Sequence, residues 1–336
     1  MSEKTLRICH LYPDLLNLYG DRGNILCMRR RLEWRGIDAE VTEVTVGEQA
    51  DFTQFDLFFI GGGQDFEQEV LLSDLKAGKG SEIKAAIADG KTFLTICGGY
   101  QMLGSYYRTW DGKQCDFIGA IDYYTVGAKE RMIGNTIFEC LPESGGSTVV
   151  GFENHSGKTY LGSGVSPLGK VLVGGGNNGE DGYEGVRYQN VFGTYSHGPV
   201  LPKNPAFCDH LLTTALQKRY PNLELQPLDD AALDDVLGDD LRHVLRGDVG
   251  VEGPLGIDQH HRTHGAQAEA ARAHHLGLLV HALGGQLLFK LRDDLGAFGG
   301  GAACAGADQN MGTNQAHLTP SLIPPRRWCT RSPRGR

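Results

Sequence analysis

Two short apolar runs in the first hundred residues stop abruptly at glycine, and this punctuation constrains the fold more than any other feature of the chain. FDLFFIGGGQD, residues 55–65, runs straight into three glycines, and residues 92–96, all β-branched or apolar, lead into Cys97, Gly98 and Gly99. Runs of this length closed by turn residues read as strands buried on both faces. The pattern Tyr100, Met102, Leu103 that follows the second run is helical, so the local order is strand, sharp turn, helix. The neighbours extend the theme. Residues 6–11 read as a strand, residues 23–35 as a helix ending at Gly36, residues 39–46 as a strand and residues 81–88 as a helix. That is α/β order, in which functional groups gather at the C-terminal ends of parallel strands. Beyond Gly119 the runs become short and β-like, at 136–138, 147–152, 170–173, 185–188 and 191–195, before a closing helix at 207–216.

The glycine turns suit a particular chemistry. A cysteine over a helix N-terminus is favoured as thiolate by the unpaired N–H groups there, and the elbow geometry is the one that serves serine nucleophiles in hydrolases. The N–H of Gly98 is then placed to bind an oxyanion, and those near Gly62 and Gly63 complete such a site. A hundred residues later GTYSHGP, residues 193–199, presents His197 from a strand end. Imidazole so placed takes the thiol proton and later gives one to a leaving amine. Each piece alone has a plainer reading: a buried structural cysteine, a flexible turn, a structural histidine. Together they point to a nucleophile and its base.

Four ordered motifs, LYPDLLNLYGDRGN (11–24), ICGGYQMLG (96–104), GFENHSGKT (151–159) and GTYSHG (193–198), carry a family resemblance. From about residue 5 to residue 225 the chain resembles class I (triad-type) glutamine amidotransferases of the cobyric acid synthase-like branch, and most closely the GatD-type glutaminase subunits of lipid II isoglutaminyl synthase. The resemblance implies a three-layer α/β fold with a central, mostly parallel sheet. It implies glutamine hydrolysis through a thioester, with ammonia handed to a Mur ligase-like (MurT-type) partner that amidates D-glutamate of the lipid II stem peptide. It puts the nucleophile at Cys97, the base at His197 and the oxyanion loop at Gly62 and Gly63, and it puts Gln101 and Arg131 where the family holds glutamine. A guanidinium grips a carboxylate bidentately, although Lys129, Glu130 and Arg131 also read as a solvated cluster. Many class I members carry glutamate two residues after the histidine, where this chain has Pro199. In this branch that absence is typical and implies an acidic group on the partner, with Glu153 or His155 as substitutes within the chain. Two other readings stand beside this one: a corrinoid (cobyrinate-type) amidotransferase subunit, and a catalytically degenerate scaffold for a synthetase.

Composition narrows the classes further. A net charge of −9 argues against a general nucleic-acid or acidic-membrane binder. The eight cysteines contain no CxxC pair, and with no apolar stretch near 18 residues and no signal-like start they suggest a reduced, cytoplasmic protein. The glycine-rich stretch VGGGNNGEDGYEG, residues 173–185, lacks the lysine of a phosphate-binding GxxxxGK[ST] loop and reads as a mobile loop near the site or a partner. No P-loop appears elsewhere, so ATP and Mg are expected on the partner, and no cofactor or metal on this chain. From about residue 231 the text turns lysine-poor and rich in Arg, His, Gly and Ala. The expected organisation is therefore an amidotransferase domain over 1–230 and an atypical, largely disordered or non-native extension over 231–336. Its His260-His261 and His274-His275 pairs lack a consistent ligand spacing.

Overall fold

The computed structural model describes residues 4–63 and 65–231. The unusual C-terminal extension and its histidine pairs lie outside the described residues, apart from Ala231. In chain order the elements are β1 (Thr5–Leu11), α1 (Arg22–Glu33), β2 (Asp38–Val44), β3 (Leu57–Ile60), α2 (Asp65–Asp74), α3 (Gly80–Ala88), β4 (Thr92–Ile96) and α4 (Gly98–Gln101). There follow β5 (Tyr106–Arg108), β6 (Gln114–Asp116), β7 (Tyr123–Cys140), β8 (Thr148–Leu161), β9 (Gly169–Val173), β10 (Tyr183–Glu184), β11 (Val186–Tyr188) and β12 (Val191–Thr194), then α5 (Val200–Lys203) and α6 (Pro205–Arg219).

One sheet has the order β11-β12-β4-β3-β1-β2, parallel throughout except for the β11–β12 hairpin. Every residue of β3, β4 and β12 is buried. This is the signature of a parallel sheet covered on both faces, and it explains why these strands were continuous apolar runs. Phe58 of β3 and Phe93 of β4 stack with ring centroids 4.5 Å apart, coupling the central pair. Helix α1 buries Ile25, Met28 and Leu32 at helical spacing. It stops where Gly36 turns left-handed (φ 66°), with the N–H groups of Gly36 and Ile37 closing on the carbonyls of Glu33 and Leu32. Helix α6 begins with Pro205 in its first turn, where no N–H is missed.

The second sheet runs β10-β9-β7-β5-β6, with β8 paired to β7. Here two of the short runs expected beyond Gly119, 136–138 and 147–152, prove to be parts of two long strands, of 18 and 14 residues, whereas the runs at 170–173, 185–188 and 191–195 correspond to the short strands β9, β11 and β12. The alternation that marks a half-buried strand is interrupted in β7 by the exposed Lys129, Glu130 and Arg131. Register explains why: Gly127 pairs with Gly157 and Met132 with His155, so residues 128–131 bulge opposite Ser156 alone. The helix expected after Cys97 is only four residues long. It ends as Gly104 passes the Tyr123 ring, which an added Cβ would meet at 2.5 Å.

The glycine-rich stretch is not the loose loop expected. Gly175 and Gly176 donate their N–H groups to the Glu153 carboxylate, and Asn177 both accepts from Gly185 N–H and donates to its carbonyl. Asn178 donates to the Thr159 carbonyl, and Tyr100 O–H donates to Asn177 Oδ1. Buried side-chain amides replace the missing apolar contacts. The buried Glu184, at the end of β10, accepts from Thr194 Oγ1 at 2.6 Å and Tyr195 N–H at 2.7 Å. It thereby braces the segment that leads to His197. Burial pushes its carboxyl up to about 7 despite these donors, and the nearby Glu153 pushes the same way.

Two predictions follow from this packing. An added Cβ at Gly99 would lie 2.6 Å from the Gly61 carbonyl oxygen and 2.8 Å from that of Ile60, whereas at Gly134 nothing lies within 4 Å. Urea denaturation should therefore show Gly99→Ala costing about 2 kcal/mol or more and Gly134→Ala within about 0.5 kcal/mol of the parent. For Glu184, folding raises the carboxyl's affinity for its proton, so its contribution is fully present below the unfolded value and lost as pH rises towards 7. Glu184→Gln should remove a fall in stability on the order of 3 kcal/mol between about pH 4.5 and 7, read from parallel denaturation curves.

Candidate active site

Four parallel strands deliver the site. In sheet order β12, β4, β3, β1, their C-terminal ends lead respectively to His197, Cys97, the Gly61–Gly63 turn and a loop that ends at Asp21. Neighbouring strands thus set the spacing of neighbouring groups, at the edge where open α/β sheets place their chemistry. Cys97 sits at φ 48° and ψ −106°, a conformation an L-residue adopts only under constraint. Its N–H donates to the Thr194 carbonyl at 2.9 Å, extending the ladder one step past β4 to the last residue of β12. Its own carbonyl accepts from Gln101 N–H at 2.9 Å. The elbow is therefore pinned on one side to the strand that presents the histidine and on the other to the turn of helix that follows.

His197 is locked by a two-way bridge with Phe152 of β8: its N–H donates to the Phe152 carbonyl at 2.7 Å, and the Phe152 N–H returns a bond of 3.3 Å. The ring is wholly buried, and the Tyr19 ring meets it edge-on at 4.9 Å between centroids. Gly62 lies at the centre of the group. A Cβ there would come within 2.7 Å of His197 Cε1, 3.2 Å of Asp21 Oδ2 and 3.4 Å of Cys97 Cβ. Only a residue without a side chain lets these three groups converge.

Asp21 is the member of this group that sequence reasoning missed. Its Oδ2 accepts from Gly62 N–H at 2.7 Å, and its Oδ1 lies 3.9 Å from His197 Nδ1, all three groups being buried. Burial alone would push the imidazole down. The facing Cys97 sulfur, and then the Asp21 carboxylate, outweigh it and carry His197 up to about 10.

The other expected residues are placed as follows. Cys97, His197 and Gly62 come together, with Gly98 and Gly63 as the chain neighbours of Cys97 and Gly62. Gln101 is buried one turn past the nucleophile, where its amide donates to Tyr195 O–H at 3.0 Å and its nitrogen blocks any Cβ at Gly157. It forms a wall behind the cysteine. Arg131 lies in the exposed β7 bulge and donates to Asn154 Oδ1 at 2.8 Å and to the Asn154 carbonyl at 3.0 Å. Asn154 in turn donates to Tyr19 O–H at 2.5 Å, which links the guanidinium to the ring lying on His197. Glu153 is committed to Gly175 and Gly176, and His155 stacks on Tyr195 with centroids 3.6 Å apart while its Nδ1 meets the Gly157 carbonyl. Neither orients His197.

Over most of its described residues the chain is similar to known proteins. The model of the CobB/CobQ-like glutamine amidotransferase domain matches residues 7–205. The GatD subunit of lipid II isoglutaminyl synthase (glutamine-hydrolyzing) from Staphylococcus aureus (strain N315) is 44% identical over 227 residues, covering 68% of this chain and 91% of the relative. The corresponding subunit from Streptococcus pneumoniae (strain ATCC BAA-255 / R6) is 41% identical over 237 residues, 70% of this chain and 88% of the relative. Cobyric acid synthase from Clostridium botulinum (strain Kyoto / Type A2) is 32% identical over 170 residues, and the match spans 33% of that longer protein. With nearly the full length of two GatD subunits matched, this chain belongs to the CobB/CobQ-like glutamine amidotransferases and, within them, to the GatD-type glutamine-hydrolysing subunits.

Proposed function

We propose that this chain hydrolyses L-glutamine through a thioester on Cys97 and passes the ammonia to a Mur ligase-like, MurT-type synthetase subunit that amidates D-glutamate of the lipid II stem peptide. The observation that carries the reading is the convergence of a strained cysteine elbow and a buried histidine on adjacent strand ends, with Gly62 between them. In this mechanism the Cys97 thiolate attacks the side-chain carboxamide carbon. The tetrahedral oxyanion is met by the N–H groups of Gly63 and Gly98, because the Gly62 N–H expected there is bonded to the Asp21 carboxylate. Imidazolium at His197 gives its proton to the departing nitrogen, ammonia leaves, and the glutamyl thioester remains. His197, now neutral, takes a proton from water as it attacks the thioester, and glutamate and the thiol are released. Arg131, at the bulge above Tyr19, holds the substrate α-carboxylate with its planar fork. Gln101 shapes the pocket wall. ATP and Mg belong to the synthetase, and the chain works in the cytoplasm beside it.

Ammonia and glutamate release by the full chain, alone and with a MurT-type partner, tests this directly. Turnover is expected to rise with the partner and to vanish with Cys97→Ala; turnover that survives Cys97→Ala would overturn the mechanism. Arg131→Ala should raise KM for glutamine about tenfold or more with a smaller change in kcat, and Arg131→Lys should fail to restore it because an ammonium lacks the fork.

A further inference from the structure

We propose that Arg187, His210 and Ser144 form a binding site for a single carboxylate group at the β11 edge of the parallel sheet. Its tests read binding and stability, so they stand whether or not the glutaminase reading holds.

An arginine withdrawn from water ordinarily brings its counter-ions with it, as Arg31 does with Asp209 and Asp230. Arg187, on the edge strand β11, does not. Its Nε and Nη1 are buried, and no acceptor among the described residues takes a hydrogen from either. The guanidinium lies over the Phe192 ring, 4.2 Å from its centroid. That ring attracts the charge but offers the N–H groups no lone pair. Burial pulls the group below its ordinary value, with Glu143 opposing from the turn between β7 and β8, yet a guanidinium keeps its proton at neutral pH. An ion that can neither shed its charge nor find an acceptor is costly to bury.

Two more polar groups without partners stand beside it. His210 of α6 meets the Phe192 ring edge-on at 5.6 Å between centroids, and its Nε2 is likewise buried and unbonded. Burial, and then the charge of Arg187, hold this imidazole below its usual value, so at neutral pH the ring is uncharged and one nitrogen carries a hydrogen to donate. Ser144, in the β7–β8 turn, is fully buried and its Oγ has no partner. Its chain neighbours place it in the same cluster. Glu143 acts on Arg187, and Gly145 lies against the imidazole, where an added Cβ would come within 3.0 Å of His210 Cγ. Residues 142, 143, 145 and 146 of the turn are exposed, and Arg187 and His210 are half-buried, so the cluster borders solvent. One cation and two uncharged donors call for a ligand with a single negative charge and several lone pairs. A carboxylate has both. A phosphate dianion would set a second charge against Glu143 with only Arg187 to offset it.

The test uses the full chain. Sodium acetate and sodium glutamate, compared with sodium chloride at equal ionic strength, should raise the melting temperature, because a ligand held only by the folded state stabilises it. Inorganic phosphate should raise it less. Arg187→Met keeps an apolar stem on Phe192. It should abolish the acetate increment and, in chloride, melt no lower than the parent, since it removes a buried charge that has no partner. In NMR titrations the Arg187 Nε–H resonance should move with acetate and saturate. An acetate increment equal in the parent and in Arg187→Met, or absent from both, would overturn the proposal. A fall of several degrees in chloride for Glu143→Gln would also overturn it, by making Glu143 the counter-ion. Should Arg187→Met fail to fold, the Nε–H titration of the unsubstituted chain decides, and a resonance that acetate leaves unmoved rejects the site. With the synthetase partner bound, an acetate increment that persists identifies a free carboxylate as the ligand. One that vanishes, while Arg187→Met weakens the complex, identifies an acidic side chain of the partner.

Discussion

The parallel pairing of β4 with β12 is the contact on which the site depends. Val191, Phe192, Gly193 and Thr194 stand opposite Phe93, Leu94, Thr95 and Ile96, and the ladder closes with the Cys97 N–H on the Thr194 carbonyl. One register therefore sets the distance between the cysteine and the segment reaching His197, three residues beyond the strand. A slip by one residue would turn every side chain of β12 to the opposite face. The conformation of Cys97 costs on the order of 1–3 kcal/mol by itself. It persists because bonds on both sides of the residue and the close passage of Gly99 over the Gly61 carbonyl leave the elbow no unstrained alternative.

Behind this elbow lies a layer of buried polar groups joining the two sheets. Gln101 donates to Tyr195, Tyr195 meets Thr159, and Thr159 meets Thr125 of β7. Tyr123 O–H donates to the Tyr100 carbonyl, and Tyr100 reaches Asn177. Such a layer is expensive where any member lacks a partner, and specific where its members are paired. Apolar packing alone would tolerate small sliding of β8 against α4. Directional bonds across the same boundary do not, so Phe152 and with it His197 are held to the cysteine side from the second sheet as well as the first.

Where the chain is buried on both faces it was plainly legible. Residues 92–96 were read as a strand and are β4, and the helix from residue 23 and the closing helix differ from the structure by one to three residues at their ends. Cys97, His197 and the glycine turn were legible because each sits where a periodic element ends. Legibility failed where side-chain bonds replace periodicity. The bulge at 128–131 breaks the alternation of β7, and the glycine-rich stretch is ordered by amides and a carboxylate that pattern cannot reveal. Asp21 was hidden for a different reason. Asp-Arg-Gly-Asn before a helix is what a cap looks like, and only the three-dimensional position of Gly62 shows that the carboxylate has turned away from the helix. The loop before it includes Tyr12 and Tyr19 at positive φ, a choice that tertiary contacts impose against local preference.

The electrostatics of the buried group bear on how one histidine serves both halves of the proposed reaction. Burial disfavours imidazolium, and the strongest influence opposing it is the Cys97 sulfur, with Asp21 next. While the sulfur is a thiolate, the ring therefore keeps its proton through neutral pH, which is the state needed to protonate departing ammonia. Acylation turns the thiolate into an uncharged thioester and removes the larger of these supports. The imidazole then falls towards neutrality as the step that needs a base begins. The same balance has a signed consequence for folding. A histidine carried up to about 10 stabilises the folded chain fully below its unfolded value near 6.5, and that contribution drains away as pH rises through about 10.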